Sequence, residues 1–307
     1  MIIRTLTLAL LFTLLGSSAT AKTIAPPSYS GEIKFIQTID LNDKFKGYNF
    51  SELSGLAFNK KRKQLYMVSD KGRLFSYGVE FTTKGIKLNP QNACNLERKN
   101  GKRLKKYKRD SEGVALDNNG KLYISFEGKP KIASFTYDCK KIKNLPLPKA
   151  LKRAKLRSSN KSLEALAFHP KYGFITALEY PKKGDKKTDQ TIYSTSGKEW
   201  HLKIDSIKKN AIVAIEVMDD GNLLILERAH IGLLNYVITL RKLYINQCPN
   251  NLCKSKKLIQ MESKKGWDLA DFEGLANLGG GRYLMISDNS DLFFLKNRVV
   301  FFQLNQD

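Results

Sequence analysis

The sequence predicts an all-β protein folded as a single β-propeller of five blades, its ring closed by the N-terminal strand. Three observations carry this. A strand–turn–strand pattern with small residues in its first strand recurs five times. The copies begin near residues 54, 112, 164, 212 and 273, a period of about 50 that leaves room for two further strands in each unit. One β-type stretch near the N-terminus, "EIKFIQTIDL" (32–41), has no copy of its own and is free to complete the last blade. Six blades is the alternative, should a degenerate blade lie around residues 230–262.

Residues 1–21 read as a cleaved secretory signal peptide: Arg4, a short apolar run from Leu6 to Leu15, and Ala19-Thr20-Ala21 as the cleavage site. A membrane anchor is the competing reading, but the run is too short to span a bilayer and no later stretch is long enough. Residues 22–31 form a Pro-containing lead, and 32–307 the propeller domain. The expected location is the periplasm or the extracellular medium, and the expected state a monomer.

The copies, in order, are "LSGLAFNKKRKQLYMVSDKG" (53–72), "SEGVALDNNGKLYISFEG" (111–128), "LEALAFHPKYGFITALEY" (163–180), "IVAIEVMDDGNLLILER" (212–228) and "FEGLANLGGGRYLMISDN" (272–289). Asn, Asp and Gly supply most of the turns, as hairpin backbones require. Gly113, Ala115, Ala165, Ala167, Gly274 and Ala276 are the small residues that crowded inner strands need. Outer strands follow as "RLFSYGV", "KIASFTY", "TIYSTSG" with "EWHLKI", "NYVITLRKLYIN" with "KKLIQM", and "RVVFFQL".

Each copy ends in an acid, and three also begin with one. Glu112 and Glu127, Glu164 and Glu179, and Glu273 and Asp288 are each 15 residues apart. The first copy has Ser54 at the opening position, with Glu52 two residues earlier, and closes at Asp70. The fourth closes at Glu227 but opens on apolar Ile212. In an antiparallel hairpin the start of one strand lies beside the end of the next, so each pair sits at the open end, opposite the turn. Like charges there repel, and five such ends around one channel mouth require a cation, basic partners or raised pKa values.

An oxygen-only cluster suits a hard divalent cation, Ca²⁺ first and Mg²⁺ as the alternative. The expected ligands are Asp70, Glu112, Glu127, Glu164, Glu179, Glu227, Glu273 and Asp288. Glu112, Glu164 and Glu273 are the candidate catalytic acids. Arg228 is placed to neutralise an acid or to contact an anionic substrate. The competing reading is structural: acids that bond neighbouring blades or form ion pairs.

Four cysteines in an exported chain point to disulfides, Cys248–Cys253 across "CPNNLC" and Cys94–Cys139 by default, with zinc the weaker alternative. The chain carries 53 basic against 29 acidic residues, a net charge of +24. The basic residues gather at 99–109, 140–143, 149–157 and 181–187. Such loops attract an anionic small molecule or polymer, or are merely solvated. They lack interleaved aromatics and any nucleic-acid motif, so no specific nucleic acid is expected. There is no G-x-S-x-G elbow, no R-H-G motif and no C-x5-R loop. Ser54 reads as a small inner-strand residue, and His169, His201 and His230 as structural or surface residues.

The starts "DSEGVAL", "SLEALAF" and "DFEGLANL" and the ends "LYISFEG", "ITALEY" and "YLMISDN", behind a signal peptide, resemble the phytase-like family, described as esterase-like activity of phytase. The resemblance covers roughly residues 32–304. It implies an exported β-propeller and hydrolysis of an ester or phosphoester, with no particular catalytic set to carry over. Ser54 and the fourth unit depart from the repeat. The expected function is therefore a cation-dependent hydrolase of an anionic ester or phosphoester. The alternative is a non-catalytic propeller that binds a ligand or partner around a structural cation.

Overall fold

The computed structural model describes residues 22–42, 44–152, 154–157, 162–292 and 295–305. The signal-peptide reading of residues 1–21 lies outside the described residues. Five four-stranded antiparallel sheets stand in a ring. Blade one runs Leu53–Asn59, Gln64–Ser69, Arg73–Thr82 and Gly85–Asn95. Blade two runs Ser111–Leu116, Leu122–Phe126, Lys131–Phe135 and Lys141–Leu145, and blade three Leu163–His169, Gly173–Leu178, Asp189–Ser194 and Glu199–Lys203. Blade four runs Asn210–Val217, Leu223–Gly232, Asn235–Leu243 and Ser255–Glu262. Residues 230–262 thus supply the outer half of a regular blade, and the ring has five blades.

Blade five takes three strands from the C-terminal end, Asp271–Gly279, Arg282–Asp288 and Arg298–Gln303, and its fourth, Lys34–Asp40, from the N-terminal end. Lys34 pairs with Gln303 and Asp40 with Arg298. The Gln37 side chain also accepts the Ile86 N–H at 2.8 Å, tying the closing strand to blade one. Closure in this way joins the two ends of the chain and leaves the ring with no free sheet edge facing its neighbour.

The inner strands pack against one another around the axis, and their small residues are there because backbone approaches backbone. A Cβ on Gly55 would lie 2.3 Å from the Glu112 carbonyl, and one on Gly113 would lie 2.6 Å from the Leu166 nitrogen. Between blades the filling is apolar and aromatic. Phe45, Phe50, Phe75 and Tyr77 pack edge to face between blades one and five. Trp200 is fully buried and donates its indole N–H to the Ile245 carbonyl at 3.1 Å. Both expected disulfides are present. Cys94–Cys139 ties blade one to blade two, and Cys248–Cys253 closes a short loop in blade four.

Every inner strand has a register break near its start: at Leu53/Gly55, Ser111/Val114, Leu163/Ala165, Ile212/Ala214 and Phe272/Gly274. A bulge adds a residue that the ladder does not pair, and so re-aims a side chain. The extra residues are Ser54, Glu164, Val213 and Glu273, with Glu112 and Gly113 in blade two.

Candidate functional site

The bulges build one mouth of the propeller. Three positions per blade meet there: the bulged residue, the residue two before it, and the end of the second strand. The backbone bonds that fix them repeat from blade to blade. Asp70 N–H donates to the Glu52 carbonyl at 3.0 Å, Glu127 N–H to Asp110 at 3.0 Å, and Glu179 N–H to Ser162 at 3.1 Å. Arg228 lies opposite Ala211, and Asp288 opposite Asp271. The bulge positions are Ser54, Glu112, Glu164, Val213 and Glu273. The preceding positions are Glu52, Asp110, Ser162, Ala211 and Asp271, and the strand ends are Asp70, Glu127, Glu179, Arg228 and Asp288.

Seven of the expected ligands, Asp70, Glu112, Glu127, Glu164, Glu179, Glu273 and Asp288, line a cavity of about 330 Å³ together with Glu52, Asp110, Ser54 and Arg228. Glu227 is not among them. Blade four is offset by one from the expected alignment: its bulge is Val213 rather than Ile212, and its strand end is Arg228 rather than Glu227. Glu227 pairs across to Ile212 and points into the blade, fully buried. There it accepts from Arg241 Nε and, at 2.9 Å, from Asn210 Nδ2, while Arg241 also faces Asp205 at 3.4 Å. Its role is an internal ion pair, because strand alternation reverses the facing of neighbouring residues.

Glu52, Asp110 and Asp271 are the mouth acids that the list of expected ligands omits. Their signal was present as an acid two residues before each bulge: "ELS", "DSE" and "DFE". His169 bonds the Gly221 carbonyl and His201 faces Thr191, both away from this mouth. His230 lies at its edge, 3.9 Å from Asp271.

Arg228 and Lys71 bind some of these acids directly. Arg228 reaches Asp271 at 3.1 Å through Nε and Glu273 at 2.6 Å through Nη2. Lys71 holds Glu52 at 2.7 Å and Asp291 at 3.3 Å. Burial drives several of the mouth carboxyls toward their neutral forms. Glu112 is raised well above its ordinary value by burial, then by Glu127 and Asp110. Glu164 is raised by burial, then by Glu179 and Glu112. Glu273 is also raised by burial, against the opposing pull of Arg228. Asp288 is pushed up to about 6 by burial. Asp70 is pushed up to about 9 by burial and a hydrogen bond shared with Glu52.

A divalent cation fits this donor set. Oxygens of Asp110, Glu112 and Glu127 lie within 4.8 Å of one another, and so do those of Glu127, Glu164 and Glu179. The two sets share Glu127, whose Oε1 also accepts the Ser162 N–H at 3.1 Å. All donors are oxygens, as a hard cation prefers, and all but the half-buried Asp110 are buried.

The waist of the channel is lined by Leu56, Val114, Leu166, Ile215 and Leu275, one from each blade. Beyond it the inner hairpin turns form a second, larger cleft of about 910 Å³, lined by Phe58, Phe168, Asn118 and Glu216. Glu216 accepts N–H bonds from Val217 at 2.8 Å and Asn277 at 3.2 Å, and burial lifts it to about 7. Among the described residues, its acids Asp117, Glu216 and Asp219 form no three-carboxylate set like those of the acidic mouth.

Fold and site together define an acid-mouthed five-bladed propeller. The family model for Phytase-like, esterase-like activity of phytase, matches residues 49–290, and the chain belongs to this family. No curated protein matches the sequence. Among solved structures, a luciferin-regenerating enzyme is 10% identical with a TM-score of 0.43, covering 87% of this chain and 94% of that one. Virginiamycin B lyase from Staphylococcus aureus is 12% identical with a TM-score of 0.38, covering 89% and 100%. The PQQ-bound aldose sugar dehydrogenase from Streptomyces coelicolor is 13% identical with a TM-score of 0.40, covering 91% and 99%. At such scores no chemistry transfers from these structures.

Proposed function

We propose that the protein is an exported, cation-dependent hydrolase of an anionic ester or phosphoester, working at the acidic mouth. The observation behind this reading is the pair of three-carboxylate sets sharing Glu127, with Arg228 at the same mouth. Asp110, Glu112 and Glu127, or Glu127, Glu164 and Glu179, would hold an ion, Ca²⁺ by preference and Mg²⁺ as the alternative. When bound, such an ion polarises a phosphoryl or carbonyl oxygen and acidifies water.

The chain's own groups do the rest. Arg228 offers its remaining N–H donors to the anionic oxygens of the substrate. Glu273 lies outside both three-carboxylate sets and bonds Arg228, so it is the acid left to take or return a proton beside a bound anion. Burial raises its pKa against the pull of Arg228, which favours its protonated form.

Two disulfides suit an oxidising compartment. No helix among the described residues is long and apolar enough to cross a membrane. The disulfides, with residues 1–21 read as a leader, support export to the periplasm or beyond.

The test is metal analysis of the purified protein, followed by turnover of phosphoester, ester and lactone panels with and without chelator. Chelator-sensitive turnover that Glu273→Gln lowers with the ion still bound supports the reading. Undiminished turnover in Glu112→Gln, Glu164→Gln and Glu273→Gln would refute it.

A second reading rests on burial. Glu112 and Glu164 are 7% and 8% exposed, as a structural ion's ligands would be. The protein then binds a ligand or partner without turnover, and the ion contributes stability alone.

A further inference from the structure

Blade four carries an apolar tip above the acidic mouth. Its second strand, Leu223–Gly232, is 10 residues long against 5 in blade two. Arg228 marks the level of the mouth, so the chain from Ala229 onward rises beyond it. Gly232 pairs with Asn235, and the two-residue turn between them is Leu233-Leu234. Such turns favour Asn and Gly, because the backbone enters the left-handed region. Leu234 nevertheless sits at φ 54°. Leu233 and Leu234 are 78% and 51% exposed. Two leucines at a solvent tip, one in a conformation leucine avoids, break the local rule for turns, and such breaks mark functional surfaces.

The same end of the propeller carries most of the basic runs. The loop before blade two holds Lys105 and Lys106, and the exposed ring of Tyr107 beside them. The loop before blade three holds Lys149 and Lys155, and the loop between its second and third strands Lys183 and Lys187. All of these lysines are exposed, and they flank, on the side of blades two and three, a mouth whose own acids are recessed and mostly buried.

We infer that this face docks on an anionic lipid bilayer, with Leu233 and Leu234 entering the headgroup–acyl boundary and the lysines meeting the lipid phosphates. A soluble polyanion would satisfy the lysines but not the leucines, and an apolar protein partner the leucines but not the lysines. A charged bilayer satisfies both. Docking does not depend on the hydrolase reading. If that reading also holds, the ester presented to the acidic mouth belongs to a lipid headgroup.

The test is sedimentation of the full chain with phosphatidylcholine vesicles, plain or containing about one third phosphatidylglycerol. The expected result is binding to the anionic vesicles only, weakened by salt. Leu233→Ser combined with Leu234→Ser should weaken it about tenfold. An unchanged melting temperature shows that this variant is folded. Vesicle binding requires no turnover, so a catalytically inert protein can still pass. Absence of binding to the anionic vesicles overturns the proposal and leaves the tip to a protein partner. Binding that survives the leucine exchange overturns it in favour of a purely electrostatic polyanion surface.

Discussion

Arg228 of blade four donates from Nη2 to Glu273 of blade five at 2.6 Å, while its Nε faces Asp271 at 3.1 Å. This guanidinium stands where each of the other four blades carries a carboxylate: Asp70, Glu127, Glu179 and Asp288. It lies among carboxyls that burial makes reluctant to ionise, and its own charge is held firmly by Glu273 and Asp271. Arg228→Met should lower turnover about 100-fold if the guanidinium orients an anionic substrate. Arg228→Lys should restore only part, since an ammonium cannot make the same fork of bonds. Steady-state kinetics on whichever ester is turned over would check this, and equal losses in both variants would argue against orientation.

Glu127 belongs to both three-carboxylate sets, and Glu179 to only one. A saturating cation at 100 times its Kd should stabilise the fold by about 2.7 kcal/mol. Glu127→Gln should abolish that stabilisation, whereas Glu179→Gln should leave the set of Asp110, Glu112 and Glu127 in place. Thermal melts with Ca²⁺, Mg²⁺ and chelator separate the cases. A full cation response in Glu127→Gln would move the ion elsewhere.

The mouth carboxyls also set a pH dependence. Asp288 rises from 3.8 to about 6 and Asp70 from 3.8 to about 9 on folding, and Glu112, Glu164 and Glu273 move the same way. The folded state therefore binds these protons more tightly than the unfolded chain. Their contribution to stability is complete below the unfolded value and is lost as pH rises through the folded ones. The cation-free protein should lose stability from about pH 4 through about pH 9, and a bound cation should flatten that decline by replacing the protons. Melts across this range, with and without Ca²⁺, would show it. A cation-free protein whose stability rises over the same range would contradict it.

Glu227 and Arg241 form a buried pair inside blade four. Glu227→Gln removes the buried charge and leaves Arg241 with only the partly exposed Asp205 at 3.4 Å, so it should cost about 3 kcal/mol. Cation binding should be unchanged in whatever fraction remains folded. Calorimetric titration and chemical denaturation on the same sample test both halves.

The disulfides should differ in worth. Cys94–Cys139 closes a separation of 45 residues and Cys248–Cys253 one of 5. Loop-closure entropy assigns about 4 kcal/mol to the first and about 2 kcal/mol to the second. Denaturation of the two paired Cys→Ser variants would rank them, and the reverse order would show that loop entropy is not the governing effect.

The period of the repeat determined the architecture. Strand alternation, turn residues and a spacing near 50 defined five hairpins, and the orphan stretch at 32–41 defined the closing strand. These are local or one-dimensional properties, so they can be read along the chain. The expected disulfides were legible for a similar reason, because four cysteines allow few pairings. The acids of blades two, three and five were legible because their spacing is constant.

Blade four was not legible in the same way. Its turn is no different in kind, but its bulge falls at Val213, and a bulge shifts facing by one residue without any mark in composition. That single step put Arg228 rather than Glu227 at the mouth and sent Glu227 into the blade. Only the ladder register decides which of two adjacent charged residues turns outward. The tertiary structure alone also determined that carboxylates from blades two and three converge on Glu127. Glu127 of blade two lies far along the chain from Glu164 and Glu179 of blade three, and only the packing of the two blades brings their side chains within reach of one ion.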